Sequence, residues 1–381
     1  MMKKLTLSFL CLALLSGCTQ TRILEEINII TAVGYDPDED SNMLRTTSVI
    51  ENMEPGKEGT SRVRNSKGHT SKGAKNSLSL NASRLSASGQ VRLALYGRQL
   101  AEEKGIVSIA DTLSRDPSIG SLVYMVVAEN EARDIMSHNY KDIPNIGEYL
   151  YRLIEHNIEQ HSIPSCTIHE FLKYYYSDGR DPILPIISRK NNEVGISKMA
   201  LFNGDKLVGD IDTKYLFNIQ LLLNNASRQQ REMKISIENI PFEKKALEEK
   251  EDIKNNFHIL FDVIDIHTVI LLTNQSKTEP EFKIHTNMTI SLSEIDERIN
   301  LSGENIKKQI STEINNNIKE ETLELLSVLK DRQADVIGFG EIYNRKNKIT
   351  NSTSEEWRKK FSRAQFNIEV NTKITRTGAR E

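Results

Sequence analysis

One pattern runs longer than any other in this chain. Between residues 303 and 334, Ile306, Ile310, Ile314, Ile318, Thr322, Leu325 and Leu329 recur at spacings of three and four. That period places them on one stripe of a single helix, about 45 Å long at 1.5 Å per residue. The stripe lacks heptad spacing, so a sheet rather than a coiled-coil partner is its expected cover. Candidate strands lie on both sides of it. Residues 256–272 and 282–293 read as long strands, the second with Ile284, Thr286, Met288, Ile290 and Leu292 on one face. The chain ends in a further alternating segment, Phe366, Ile368, Val370, Thr372 and Ile374. The reading for residues 246–381 is therefore a C-terminal α/β domain, a long helix on an antiparallel-type sheet. Residues 241–254, ahead of it, are charged and read as helix or linker.

Upstream, strands and helices alternate. Residues 24–36 and 43–50 read as strands. Residues 54–77 read as a polar loop with six Lys or Arg and one Glu between Lys57 and Lys75, either a solvated loop or a basic arm for anionic surfaces. Residues 74–85 read as a helix, 91–96 as a strand, 106–113 as a helix and 122–128 as a buried strand. Helices are expected at 130–137, 146–159 and 168–177, the last capped by Thr167 with Glu170 three residues on. This gives an N-terminal α/β domain over residues 18–190. Residues 191–245 form a middle hairpin-helix segment or small domain, in which SKMALF turns at Asn203-Gly204-Asp205 into KLVGDI and a helix follows at 212–224. The fold class is mixed α/β (α+β), multi-domain, each domain a sheet packed with helices.

The first 18 residues constrain location. Lys3 and Lys4 precede an apolar run from Leu5 to Leu15, too short to span a bilayer as a helix. It ends in Leu15-Ser16-Gly17-Cys18, the form of a bacterial lipobox. Residues 1–17 read as a lipoprotein signal peptide and Cys18 as the lipidation site, whose thiolate takes the diacylglycerol. No later stretch approaches a transmembrane length, so the chain is expected outside the cytoplasm, anchored to a membrane without crossing it.

Other chemistry finds little footing. With 50 basic and 53 acidic residues the chain has no global basic field, so nucleic acid is not an expected partner. There is no phosphate loop, no G-x-S-x-G and no H-E-x-x-H. His156, His161 and His169 lack metal-ligand spacing. Cys166 has no motif partner and reads as a small buried residue. Asp262 and Asp265, three apart on a strand, are expected on opposite faces. No catalytic residue, cofactor or metal is expected.

Several short motifs remain: Ala32, Gly34 and Asp36 closing the first strand; Gly105 to Arg115-Asp116; Gly179-Arg180-Asp181-Pro182 with Leu184-Pro185; Ala200 to Gly209; then Gln333, Asp335, Gly338-Phe339-Gly340, Trp357, Phe361 and Gly378. In this order and spacing, with the lipobox, they resemble the C subunit of bacterial spore germinant receptors, the GerAC/GerBC-like lipoproteins. The basic segment 54–77 and Arg98 after Gly97, where that family often has histidine, depart from the pattern. The resemblance implies a non-enzymatic subunit of a nutrient germinant receptor on the outer leaflet of the spore inner membrane. Its implied partners are the membrane A and B subunits, and membrane lipid through the acylated cysteine. It implies several mixed α/β domains and no ligand-binding residues. The alternative class is a solute-binding lipoprotein delivering a nutrient to a transporter.

Overall fold

The computed structural model describes residues 27–38, 42–52, 56–57, 59–80, 82, 85–120, 122–236, 256–275, 278–295, 304–349 and 353–376. The signal peptide, Cys18, the segment 241–254 and Gly378 lie outside the described residues. In chain order the first sheet is built from β1 (Ile27–Pro37), β2 (Leu44–Glu51), β3 (Ser61–Gly68), β4 (Leu85–Ala87), β5 (Leu93–Tyr96), β6 (Tyr124–Ala128), β7 (Ile183–Lys190), β8 (Glu193–Asn203) and β9 (Lys206–Asp212). Its strand order is β3-β2-β1-β5-β6-β7-β8-β9, with β4 paired separately to β1. The centre, β1-β5-β6-β7, is parallel, and both flanks are antiparallel. The helices between these strands explain the parallel centre, because a strand that returns in the same direction needs a crossover. Accordingly Met125–Ala128 and Leu93–Tyr96 are buried on both sides.

Helices cover both faces. α1 (Ser71–Leu80) packs on β2 and β3. α2 (Arg98–Glu103) and α3 (Val107–Ser114) follow β5, and α4 (Ala132–Met136), α5 (Ile146–Glu159) and α6 (Ile168–Tyr175) follow β6. Thr167 caps α6 as expected, its hydroxyl accepting from the Glu170 N–H at 3.3 Å. β8 and β9 extend this sheet beyond β7, closed by a tight turn in which Gly204 has φ +64°. The helix expected at 212–224 is a 3₁₀ turn, Thr213–Tyr215, leading into α7 (Leu216–Leu222).

The basic segment at 54–77 differs from the expectation. Its second half is the edge strand β3 and the start of α1, not a loop. β3 carries one aliphatic residue, Val63, so no apolar alternation marks it; its backbone pairs with β2 from Leu44↔Gly68 to Glu51↔Ser61. Its charges are partly paired, Lys67 with Asp38 at 2.7 Å and Lys75 with Asp116 at 3.8 Å. Charged residues on an edge strand also discourage pairing with a further chain.

The second sheet is β10 (Gln230–Ser236), β11 (Asn256–Asn274), β12 (Glu281–Ile295) and β13 (Gln365–Arg376), in that order. The first three are antiparallel. The last pair is parallel, because α8 (Glu304–Asp331) carries the chain back across the sheet before α9 (Phe339–Asn347), α10 (Ser354–Phe361) and β13. Ile310, Ile314, Ile318, Leu325 and Leu329 on α8 are fully buried, and Ile306 is half-buried at its start. The stripe's one polar member, Thr322, meets Asn218 of α7: Asn218 Nδ2 donates to Thr322 Oγ1 at 3.0 Å. The apolar core of the described residues is continuous from the first sheet to the second.

Asp262 and Asp265 share the open face of β11, contrary to the alternation rule. A bulge at Ile264 inserts one residue between the Val263↔Ile290 and Asp265↔Thr289 pairs and resets the period. Phe261, Val263 and Ile266 consequently face the core. Asp265 is exposed, and Asp262 bonds to Ser293 and Gln230.

Candidate functional site: the joint between the two sheets

The motif residues scattered over residues 179–361 meet at one place, where the loop before β7 and the β8–β9 turn touch the chain between α8 and α10. Two buried aspartates organise it. Asp335 is fully buried and follows the C-terminus of α8. Its Oδ1 accepts from the Gly338 N–H at 2.8 Å; its Oδ2 accepts from the Gly340 N–H at 2.8 Å and Trp357 Nε1–H at 2.9 Å. Gly338 has φ +94°, which lets the chain turn its N–H groups onto the carboxylate.

Asp181 is 2% exposed and bonds twice to the backbone of Asp335. Its N–H donates to the Asp335 carbonyl at 2.8 Å, and its Oδ2 accepts from the Asp335 N–H at 3.0 Å. Its Oδ1 accepts from the Gly204 N–H at 3.1 Å and from Arg358 Nη2 at 2.5 Å. One carboxylate thus ties the loop before β7 to the β8–β9 turn, the α8–α9 segment and α10. A buried charge survives only when paired and hydrogen-bonded, and both conditions are met here.

Packing closes the joint. Gly179 and Gly340 lie backbone to backbone. A Cβ on Gly340 would sit 2.5 Å from Trp357 Nε1 and 2.6 Å from Gly179 Cα, and one on Gly179 would strike the backbone of Gly340 and Glu341. Arg180 donates from Nε to the Val336 carbonyl at 3.2 Å, its guanidinium 3.9 Å above the Tyr174 ring. Trp357, Phe361, Phe339, Phe282 and Phe366 form one aromatic cluster beneath, with centroid separations of 4.8–6.4 Å. The i, i+4 spacing of Trp357 and Phe361 is what turns both inward from α10.

The N-terminal motifs make two smaller joints of the same kind. Asp36 is buried at the end of β1, and its carboxylate accepts from the Ala132 and Arg133 N–H groups at 2.8 and 3.0 Å, capping α4. Gly97 leaves room for it. Asp205 in the β8–β9 turn accepts from the Val107 N–H at 3.3 Å, at the start of α3 beside Gly105.

Burial pushes Asp335 up to about 6, against the pull of its N–H donors and with the charge of Asp181 acting in the same direction. Asp36 is likewise raised to about 6 by burial. A carboxyl whose pKa is higher folded than unfolded binds its proton more tightly when folded. Its contribution to stability is present below the ordinary value and is lost as pH rises through 6. Trp357 is the only tryptophan, so its indole N–H is a unique reporter of Asp335. Its NMR resonance is expected to titrate with a midpoint near 6; a flat profile from about pH 7.5 to 4.5 would contradict this assignment.

The remaining candidates lie apart from the joint. His156 and His169 are exposed. His161 has φ +55°, and its carbonyl accepts from Gln220 and Gln229. Cys166 is 1% exposed, and burial pushes its thiol pKa up, away from reactivity. Among the described residues no group of three or more His, Cys, Asp or Glu is placed to hold a metal ion, and no helix is long and apolar enough to cross a membrane. The sequence had marked Asp181, Asp335, Gly338, Gly340 and Trp357 without a role. Arg358, which completes the joint, was missed: it is one of five charged residues flanking Trp357 within three positions, and only the fold shows which of them turns inward.

A mixed α+β chain of two sheets, joined through buried carboxylates, is the class these features define. Residues 20–189 match the family described as Spore germination protein N-terminal domain, and residues 197–378 match Spore germination B3/GerAC like, C-terminal. The chain belongs to this family of spore germination proteins. It is 26% identical over 380 residues to Spore germination protein GerQC of Bacillus cereus, covering 100% of both chains. It is 23% identical over 220 residues to Spore germination protein A3 of Bacillus subtilis (strain 168), covering 56% of this chain and 58% of that one. The fold is similar to the crystal structure of the GerBC protein, with a TM-score of 0.54, 13% identity, and coverage of 90% of this chain and 96% of that one.

Proposed function

We propose that this chain is the non-enzymatic, lipid-anchored C subunit of a nutrient germinant receptor. It sits on the outer leaflet of the spore inner membrane, with the membrane A and B subunits as partners. The observation that carries the reading is how the polar residues of the joint are used. Asp181, Asp335, Trp357 and Arg358 bond to one another and to backbone, inside a joint rather than at an open reactive surface. They fix the shape of a body, which suits a subunit that works by holding partners. The lipobox at Cys18 supplies the anchor: each acyl methylene buried in lipid contributes about 0.8 kcal/mol, and two chains suffice for stable attachment. Confinement to the membrane plane raises the effective concentration of the subunit near its partners.

The test is complementation of a sporulating strain that lacks this chain and any redundant receptor. The wild-type chain is expected to restore germination with one class of nutrient. Cys18→Ala removes the lipid acceptor, so that chain should leave the membrane fraction and restore a weaker response. Normal germination with every nutrient in the uncomplemented strain would sink the receptor reading. Membrane retention of Cys18→Ala at high salt, with the other subunits absent, would sink lipidation.

A further inference from the structure

Apart from the joint, the first sheet holds a cavity of about 490 Å³, open to solvent on one side. Pockets for small ligands span about 300–1,000 Å³, so there is room for one here. The cavity lies between the start of β1, the end of β2, the segment leading into β5 and the first two turns of α5.

Its polar groups are mostly donors without acceptors. Asn145 lines the cavity and is only 8% exposed. Its Oδ1 caps α5, accepting from the Glu148 N–H at 3.2 Å. Its Nδ2 has no hydrogen-bond partner among the described residues. A buried amide N–H costs free energy until something accepts from it. Gly147 lines the same wall in the first turn of the 14-residue α5, and its N–H also has no partner among the described residues. Arg92 adds a charge. It makes no ion pair among the described residues, and its guanidinium lies 5.1 Å from the centre of the Tyr151 ring. That ring is itself stacked on Tyr124, with centroids 5.6 Å apart. The Tyr151 hydroxyl is engaged with Glu155, and Arg152 at the rim pairs with Glu148 at 2.7 Å. What remains is Glu51, half-buried and unpaired among the described residues, and the exposed amide of Gln90.

We propose that this cavity binds a phosphorylated polyol. Its phosphate would accept from the Gly147 N–H, Asn145 Nδ2 and Arg92, and its hydroxyls would meet Glu51 and Gln90. Donors arriving from a helix N-terminus, a capping amide and a guanidinium suit a group with several anionic oxygens. A carboxylate and an amide together suit hydroxyls, which both donate and accept. Glycerol phosphate is the simplest such group, and it occurs as a soluble ester and as the headgroup of phosphatidylglycerol. Ile27 follows Cys18 by nine residues, a reach of about 30 Å, so the proposed anchor would bring the cavity within range of headgroups. The soluble ester needs no anchor.

The test uses the unlipidated Cys18→Ser chain in a buffer free of phosphate. Glycerol 1-phosphate should shift the NMR resonances of the Gly147 amide and the Asn145 side-chain amide saturably, and glycerol should move neither. Asn145→Asp keeps a good cap on α5 but replaces the donor with a charge. It should melt like the parent and weaken the ligand at least about tenfold, read at Gly147. Arg92→Gln, on an exposed side chain, should weaken it at least about fivefold. Glu51→Gln should weaken glycerol 1-phosphate and leave inorganic phosphate unchanged. Flotation with vesicles of phosphatidylglycerol, against phosphatidylcholine, separates the two sources. Retention on the first that Asn145→Asp abolishes identifies a lipid headgroup, and saturable shifts without such retention identify a soluble ester. No saturable shift up to about 10 mM ligand together with no such retention would overturn the proposal. Unchanged affinity for glycerol 1-phosphate in Asn145→Asp would overturn it too.

Discussion

Adding one methyl group at Gly179 is expected to break the joint between the two sheets. The new Cβ would meet main-chain atoms of Gly340 and Glu341 on one side, while its own loop is held by Asp181 on the other. Backbone cannot rotate away as a flexible side chain can, so the segment before β7 must move off the α8–α9 turn. Overpacking in a well-packed site costs about 1–3 kcal/mol. Here the displacement also strips the two Asp181–Asp335 hydrogen bonds and the Arg358–Asp181 ion pair, and breaking a buried pair costs about 3–5 kcal/mol. Gly179→Ala should therefore lose about 3 kcal/mol or more, a large share of an ordinary stability of about 5–15 kcal/mol. Gly195→Ala is the control. That glycine lies on β8 with open space around its missing Cβ and no positive φ, and its replacement should leave the urea midpoint unchanged.

Ile314→Asp should be at least as damaging. Ile314 is fully buried at the middle of the α8 stripe. Losing its burial removes about 1.5–3 kcal/mol, and the carboxylate that replaces it has no partner on the apolar face of the second sheet. Together these exceed about 4 kcal/mol, enough to unfold the C-terminal half at moderate temperature. Asn316, two residues on, is exposed, and Asn316→Asp should melt like the parent. Thermal unfolding of both variants checks the helix phase. If Ile314→Asp melts with the parent while Asn316→Asp unfolds, the phase is wrong.

Ile314 and Gly179 differ in how far the sequence reveals their surroundings. Ile314 was legible because helix burial follows a local period: each stripe residue announces its neighbours three and four positions away. The hairpin was legible because Gly204 supplies the positive φ of its turn, although the turn pair is Gly204-Asp205 and Asn203 ends β8 opposite Lys206. The edge strand β3 was not legible, because an edge strand with one aliphatic residue is held by backbone pairing that leaves no mark in side chains. The alternation rule misplaced Asp262 and Asp265 because one bulge at Ile264 shifts the period without any glycine to signal it. The joint was half legible. Its residues stood out as short motifs, but Gly179 and Gly340 are 161 positions apart, and nothing local says that their backbones touch. Asp335 reads as one acid among 53 until the fold brings Gly338, Gly340 and Trp357 around it.

The central claim is that these motif residues make one cooperative body of the two halves, and the chain carries a natural probe in each. Trp357 sits in the joint beside the second sheet, and Cys166, buried next to β6, is the free thiol of the first. Urea unfolding should be followed by Trp357 emission and by Cys166 reactivity toward a thiol reagent, in a chain carrying Cys11→Ser and Cys18→Ser so that Cys166 is its one thiol. We expect the two transitions to coincide in the parent and to separate in Gly179→Ala, where the halves no longer support each other. Transitions that are already separate in the parent, or that stay together at an unchanged midpoint in Gly179→Ala, would contradict the claim.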